Sequence, residues 1–293
     1  MKKKGILFAL AGGTFWGFSG ACSQFLFSHY TISSIKLTSI RMVYTGIILV
    51  LFGLITQKDK MTAVFKNKRD IGHLILFAIG GLSFSQFTYL TAISYSNAGT
   101  ATVLQYLYPL YIMLLVCITT HRLPQKIEAI SIILALGGVF ILATHGNIHS
   151  MALTPKGLLW GLLSSVAGAS YTLLPEKLMK RYGSIPITGF GMLIGGIVIT
   201  LGFQTYKEVL HLDMAGYLAL MGIVVLGTLF AYTFYLTGVA LAGPVITSML
   251  ASVEPVSAAL FAFFWLKTPF IWMDLIGFAM IITMVCLLTI KKT

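Results

Sequence analysis

Long apolar stretches follow one another along the chain, and short polar segments separate them. A helix needs about 20 mostly apolar residues to cross a hydrocarbon core roughly 30 Å thick. Ten stretches meet or approach that length, so the sequence predicts an all-α integral membrane protein with ten transmembrane helices. The predicted spans are 5–27, 34–55, 72–95, 98–119, 127–144, 157–174, 186–203, 217–238, 243–265 and 271–290.

Composition supports a membrane protein over a soluble one. Hydrophobic residues make up 57% of the 293 positions and charged residues only 10%. Soluble domains carry roughly a quarter charged residues. A soluble fold of this length could not remove so much apolar surface from water, whereas a bilayer accepts it.

Basic residues are distributed unevenly between the two sides of this topology. Fifteen Lys and Arg residues fall on the side of the termini, and only Lys36, Lys156, Lys207 and Lys267 fall on the other. Because cytoplasmic loops carry an excess of Lys and Arg, we expect a multi-pass plasma-membrane protein with both termini in the cytoplasm. The same distribution accounts for the net charge of +12. No nucleic-acid partner is expected, because no polar domain presents a basic face.

The two halves of the sequence resemble each other. When the chain is shifted by 146 residues, segment 74–142 falls on 220–288 without a gap. A Gly-x-x-Phe-x4-Tyr-Leu-Thr pattern that begins at Gly81 recurs at Gly227. The shift covers five predicted spans, and because five is odd the second half would enter the membrane from the opposite face.

This arrangement predicts two inverted-topology five-helix repeats, at 5–144 and 157–290. Inverted repeats are a common plan of secondary transporters, because two similar halves can exchange conformations around a central site. A receptor or a structural scaffold has no comparable need for them.

Several short motifs occur in an order and spacing typical of one family. They are Thr14–Ser19, Ala92–Ala98, Leu107–Leu110, Gly137–Phe140, Leu250–Val256 and Ile276–Ala279. Over nearly its whole length the chain resembles the EamA family of the drug/metabolite transporter superfamily, with two EamA repeats.

The resemblance implies a central cavity lined by spans 1, 3, 4, 6, 8 and 9, with spans 5 and 10 packed outside. It implies transport of an amino acid, a metabolite, a sugar or a drug, and export is the expected direction. Family members often carry a Gly-Glu pair after the fourth and ninth spans. This chain has Thr120-His121 and Leu266-Lys267 there, so a gating or coupling role of those carboxylates cannot be carried over.

Polar and aromatic side chains within the spans are the candidates for a solute site. Uncharged hydrogen-bonding groups beside aromatic rings suit a small, uncharged or zwitterionic organic solute with an apolar part. The alternative for each residue is ordinary packing or interhelical hydrogen bonding. The predicted substrate-binding residues are Trp16, Gln86, Tyr89, Gln105, Tyr108, Tyr171, Tyr232, Tyr235 and Glu254.

Two charged residues lie within predicted spans. A charge at membrane depth is costly, so it normally faces the bundle interior and has a partner. Arg41 could do this, or it could reach the outer interface or bond helix-end carbonyls. Glu254 could bind a cation, take up a proton or stabilise the kink at Pro255. Arg41, Pro109 and Pro255 are therefore predicted to have structural or gating roles.

Glycine spacing predicts where helices approach each other closely. The pairs Gly13-x3-Gly17, Gly157-x3-Gly161 and Gly191-x3-Gly195 place small residues on one helix face. Such faces let helix backbones come into contact in membranes.

No motif for catalysis, metal binding or nucleotide binding is present. The sequence has no HExxH, GxSxG or GxxxxGK[ST] pattern, and its three cysteines lie apart within apolar runs. We therefore expect no metal, no cofactor and no enzyme activity, with a small-molecule substrate and the lipid bilayer as partners. An intramembrane enzyme or a non-transporting scaffold is the alternative, and a homodimer is left open.

Overall fold

The computed structural model describes residues 2–147 and 151–291. Lys292, one of the basic residues used for orientation, lies outside them. Within these ranges the chain is helical and has no β-strand. The helices are α1 (Lys2–His29), α2 (Ser34–Thr56), α3 (Lys58–Ala63), α4 (Lys68–Leu76), α5 (Phe84–Tyr95), α6 (Ala98–Gln105), α7 (Tyr108–Thr119), α8 (Lys126–Thr144), α9 (Pro155–Leu173), α10 (Glu176–Tyr182), α11 (Ser184–Gly202), α12 (Met214–Met221), α13 (Ala231–Ala242), α14 (Pro244–Ala251), α15 (Val253–Phe264) and α16 (Trp272–Lys291).

Most of the predicted spans are present in the described residues. Eight helical stretches there are long and apolar enough to cross a bilayer, and α9 with α10, bent by 41°, adds a ninth if the pair is counted as one span. The predicted span 243–265 is instead divided into α14 and α15, of which α15 is a short apolar helix. The protein is thus an all-helical, multi-pass membrane protein, and the count of ten helices stays a prediction.

Proline explains where the irregular spans bend or break. Its ring removes a backbone donor and clashes with the preceding turn. The bend between α9 and α10 falls at Pro175, and the break between α6 and α7 precedes Pro109. The break between α14 and α15 falls at Ser252, three residues before Pro255. Hydropathy alone cannot detect these interruptions, because proline leaves the apolar run intact.

Polar residues in the loops begin several of the helices. Ser33, Asn97, Thr154 and Asp213 each accept a hydrogen bond from a backbone N–H in the first turn of the helix that follows. Such N-caps satisfy donors that a helix cannot bond internally. The short polar segments between the apolar runs therefore fix where α2, α6, α9 and α12 start.

Corresponding elements of the two halves follow the same spacing. A π-helix, Phe77–Ser83, joins α4 to α5, and another, Gly222–Phe230, joins α12 to α13. α4 and α12 begin 146 residues apart, as do α8 and α16. His121 and Lys267, at the same separation, both have left-handed backbone, with φ of 48° and 53°. The elements from α4 to α8 and those from α12 to α16 thus follow one another in the same order.

Glycines bring α1 into direct backbone contact with the second half. A Cβ atom at Gly17 would lie 2.6 Å from Ala258 N and 2.8 Å from Glu254 O. At Gly13 it would lie 3.0 Å from Ala251 O. The close approach predicted from Gly13-x3-Gly17 is confirmed, and it fixes α1 against α14 and α15.

Two further glycines lie where helices approach each other closely. α2 packs along α11, and α8 packs along α16. A Cβ atom at Gly138 of α8 would lie 3.1 Å from Gly277 O of α16. At Gly195 of α11 it would lie 2.8 Å from Ala78 O in the first π-helix. These glycines let α8 approach the backbone of α16, and α11 approach the backbone of the first π-helix.

Candidate functional site

A cavity of about 410 Å³ lies between the helices of the two halves. Helices α1, α2, α5, α6 and α7 contribute one part of its wall, and α9, α10, α11, α13, α14, α15 and α16 contribute the rest. Ligand pockets typically enclose about 300–1,000 Å³, so the space is large enough for a small organic molecule.

The structure brings all nine predicted substrate-binding residues to this one cavity. Arg41 and Pro109 also line it, whereas Pro255 is buried within α15 and does not. The structure establishes that these side chains line one cavity. Their role in binding a solute stays a prediction. The nine residues are Trp16, Gln86, Tyr89, Gln105, Tyr108, Tyr171, Tyr232, Tyr235 and Glu254.

Tyr106 is a cavity residue that the sequence analysis missed. Residues two apart on a regular helix point in very different directions, so Tyr106 and Tyr108 would not face the same space. The break between α6 and α7 removes that restriction, and both rings line the cavity, with centroids 5.9 Å apart. Pro109 immediately after them was the signal that could have revealed this.

Tyr106 and Glu254 connect the two halves of the chain. The Tyr106 hydroxyl lies 2.8 Å from Glu254 Oε2 and 3.2 Å from the carbonyl oxygen of Ala251. That carbonyl is the one that Pro255, four residues later, cannot bond. One side chain from α6–α7 therefore contacts both the carboxylate and the freed carbonyl at the α14–α15 break.

Arg41 faces the cavity without a direct partner. Its side chain is 7% exposed, and its Nε and Nη1 atoms have no hydrogen-bond acceptor among the described residues. No ion pair within 4.0 Å joins it to Glu254 in that part of the chain, although the two charges attract through space. Arg41 thus lines the cavity with no acceptor for its Nε and Nη1 among the described residues, and a structural or gating role for it stays a prediction.

Aromatic side chains form much of the remaining wall. Trp16 of α1 meets Tyr232 and Tyr235 of α13, with ring centroids 5.5 and 5.3 Å apart. The hydroxyls of Tyr171 and Tyr232 are 2.9 Å apart. The Tyr89 hydroxyl lies 2.8 Å from Thr102 Oγ1, which ties α5 to α6. The cavity wall thus offers flat aromatic faces, and hydrogen bonds hold the hydroxyl groups of Tyr89, Tyr171 and Tyr232 in place.

The two ends of the cavity differ. Met179 of α10, Ser184 of α11 and Thr289 of α16 line it toward the end of the bundle where α10 meets α3. Toward the opposite end, Gln24 of α1 donates to Thr268 Oγ1 and accepts from the Ala98 N–H, both at 2.8 Å. These bonds tie α1 to the start of α6 and to the loop after α15.

Aromatic stacking reinforces that second end. Trp265, directly after α15, stacks against Phe18 and Phe25 of α1, with centroids 5.7 and 5.4 Å apart. Phe18 also meets Phe261 edge-on at 5.1 Å. These ring contacts hold the end of α15 and the residue after it against α1.

Catalytic or metal chemistry is not indicated by the side chains that meet at the cavity. The described residues contain no group of three or more His, Cys, Asp or Glu side chains arranged to hold a metal ion. Glu254 and Arg41 are the charged groups of the wall. The arrangement is suited to holding a molecule by shape, hydrogen bonds and charge.

Known proteins are similar to this chain in sequence and in fold. The family model described as the EamA-like transporter family matches residues 3–144 and 155–290. The chain is 36% identical over 292 residues to the uncharacterized inner membrane transporter YicL of Salmonella typhimurium (strain LT2), covering 99% of this chain and 96% of the relative.

A more distant relative and a solved structure are also similar to the chain. Protein PecM of Dickeya dadantii (strain 3937) is 27% identical over 222 residues, which cover 72% of each chain. A protein crystal structure superposes with a TM-score of 0.64, covering 99% of this chain and 98% of that one. At 15% identity, that likeness shows the fold alone.

Proposed function

Because the chain belongs to the EamA-like transporter family and is therefore a membrane transporter, we propose that it is a secondary transporter. It moves a small organic solute across the plasma membrane by alternating access, and export is the direction expected. The single observation that carries this proposal is the cavity walled by both halves of the chain. A site between two halves can be exposed to either side by moving one half against the other.

The repeat supports this mechanism. The matched bounds of the elements, the paired π-helices and the paired family matches accord with ten helices in two inverted five-helix repeats. In such a protein, exchange of conformation between the halves alternately opens each end of the cavity. The bonds of Gln24 join α1 to the start of α6 and to the loop after α15, so a movement of α1 away from those segments would break them.

The wall of the cavity supports a particular solute class. It presents aromatic rings, amides and hydroxyls, with one Arg and one Glu. A multiply charged solute would find too few opposite charges there, and transferring it from water without them is costly. The substrate is therefore a small uncharged or zwitterionic molecule with an apolar part.

A thermal-shift screen on the purified protein tests the proposal. A ligand of the folded state raises its apparent stability in proportion to the logarithm of the ligand concentration. We expect stabilisation by amino acids or drug-like amines. Selective stabilisation by a multiply charged phosphate ester, with no response to those compounds, would contradict the proposed class.

A further inference from the structure

A second cavity, of about 430 Å³, lies at the end of the bundle where α3 meets α10. One residue joins α2 to α3, and Gly183 joins α10 to α11. Both α2 and α11 are long and apolar enough to cross a bilayer. The cavity therefore lies at the ends of two spanning helices, which is the level of the lipid headgroups. It is lined by Asp59, Lys60, Ala63, Lys66, Asn67, Arg181 and Tyr182.

Hydrogen-bond donors dominate the wall of this second cavity. Lys60 and Lys66 are exposed, and among the described residues neither ammonium group has a hydrogen bond or an ion pair. Asn67 Oδ1 accepts from the Arg69 N–H at 3.0 Å, so the Asn67 amide keeps its N–H donors for another group. Asp59 is the one carboxylate among the lining residues. The wall is therefore suited to an anion.

Arg181 is held beside the two lysines by a contact between the halves of the chain. The Asp70 carboxylate accepts a hydrogen bond from Arg181 at 2.8 Å and another from the Tyr182 hydroxyl at 2.7 Å. Asp70 belongs to α4 and Arg181 to α10. The Arg181 side chain is still 60% exposed. Because a guanidinium carries five N–H donors, most of them stay open to a ligand.

Apolar side chains border these basic residues. Ile55, in the last turn of α2, is 84% exposed, and Phe65, directly before Lys66, is 49% exposed. The Phe65 ring meets Phe190 edge-on, with centroids 4.7 Å apart. Phe190 lies about two turns into α11, so the Phe65 ring points from the loop toward the spanning part of the bundle. A ligand with an anionic head and an apolar tail would contact both kinds of surface.

We infer that this second cavity binds the phosphate of an anionic phospholipid, such as phosphatidylglycerol, through Lys60, Lys66 and Arg181. Lys and Arg bind phosphate oxygens by charge-assisted hydrogen bonds, and basic pockets between spanning helices suit acidic headgroups. The acyl chains lie along Ile55 and Phe65. A free phosphate would meet the same cations but would gain nothing from the apolar border. Binding here requires neither the central cavity nor transport.

Lipid titrations test the inference by headgroup. The melting temperature of the purified full-length protein in dodecyl maltoside rises with the concentration of a ligand that binds the folded state. Phosphatidylglycerol should act at concentrations about tenfold lower than phosphatidylcholine with the same acyl chains. Glycerol phosphate, the soluble part of the headgroup, should have no effect at those concentrations. Equal action of the two lipids overturns the inference, and stabilisation by glycerol phosphate alone overturns the assignment to a lipid.

Matched pairs of lysines separate the second cavity from general surface charge. Each lysine near a membrane surface contributes about fivefold to the affinity for anionic lipid. Lys60→Gln with Lys66→Gln should therefore need about 25-fold more phosphatidylglycerol for the same rise in melting temperature. Lys58→Gln with Lys177→Gln removes the same charge from exposed residues of α3 and α10 that do not line the cavity, and its effect should be clearly smaller. Equal losses in the two double variants overturn the inference.

Asp59→Asn should strengthen lipid binding. It removes the one carboxylate among the lining residues, so phosphatidylglycerol should raise the melting temperature at lower concentrations than in wild type. Damage to the fold would not tighten binding, so this gain separates recognition of the phosphate from a loss of structure. Unchanged or weaker binding by Asp59→Asn overturns the placement of the phosphate in this cavity.

Discussion

The backbone contact at Gly17 leads to a prediction whose magnitude follows from the structure. A Cβ atom there would lie 2.6 Å from Ala258 N and 2.8 Å from Glu254 O, and these backbone atoms cannot rotate away. Overpacking of this kind costs about 1–3 kcal/mol, and we place Gly17→Ala near the upper value. Alanine favours the helix over glycine by about 1 kcal/mol. The net loss should be about 2 kcal/mol.

Gly72→Ala is the matched control. Gly72 lies in α4, is exposed, and has no atom within 4 Å of the position that a Cβ would take. The same substitution should there stabilise the protein by up to about 1 kcal/mol. Reversible unfolding in mixed micelles with increasing sodium dodecyl sulfate measures both changes. Equal stability of the two variants would refute the close approach of α1 to α15.

The remaining predictions concern pH, coupling and topology. The hydrogen bond from Tyr30 and a backbone N–H lower the pKa of Asp213. Stability from a lowered carboxyl pKa is present above the unfolded value of about 3.9 and is lost as pH falls through the folded value. The melting temperature of Asp213→Asn should therefore lie below that of wild type at pH 7, and the two melting temperatures should be equal in strong acid. A difference in melting temperature that grows as the pH falls would refute this. We expect transport without proton coupling, so a pH-sensitive dye inside proteoliposomes should show no solute-driven proton movement. Such movement in wild type, lost in Glu254→Gln, would show instead that Glu254 carries protons. With both termini cytoplasmic, an impermeant thiol reagent on intact cells should label a cysteine at Lys207 and spare one at Lys66, and the reverse pattern would refute the orientation.

The composition of the cavity could be predicted from the sequence because polar and aromatic residues stand out within apolar spans. Exposing polar side chains such as Gln86, Tyr89 and Glu254 to lipid is costly, so their chemistry predicts a position inside the bundle. Their neighbours across the cavity could not be predicted. The contact between Tyr106 and Glu254 joins residues 148 apart in sequence, and helix-to-helix contacts of this kind leave no periodic signal.

Breaks in the helices limited the rest of the sequence analysis. The run 243–265 is mostly apolar, but its helix is interrupted at Ser252 because the backbone cannot continue its bonds through Pro255. The partner of Arg41 was expected from the cost of a buried charge. The structure shows no acceptor for its Nε and Nη1 atoms among the described residues, and no sequence pattern could have indicated that.

The central claim is that the solute passes through the cavity between the two halves. Exchange of a labelled compound, chosen as the strongest stabiliser in the thermal-shift screen, tests it in proteoliposomes. Gly168 lines the cavity, and a Cβ there would lie 3.2 Å from Tyr108 Cβ, so Gly168→Leu should fill solute space. We predict saturable exchange by wild type and Gly72→Ala, and its loss in a Gly168→Leu protein that still elutes as a folded monodisperse species. Undiminished exchange by Gly168→Leu would contradict the account.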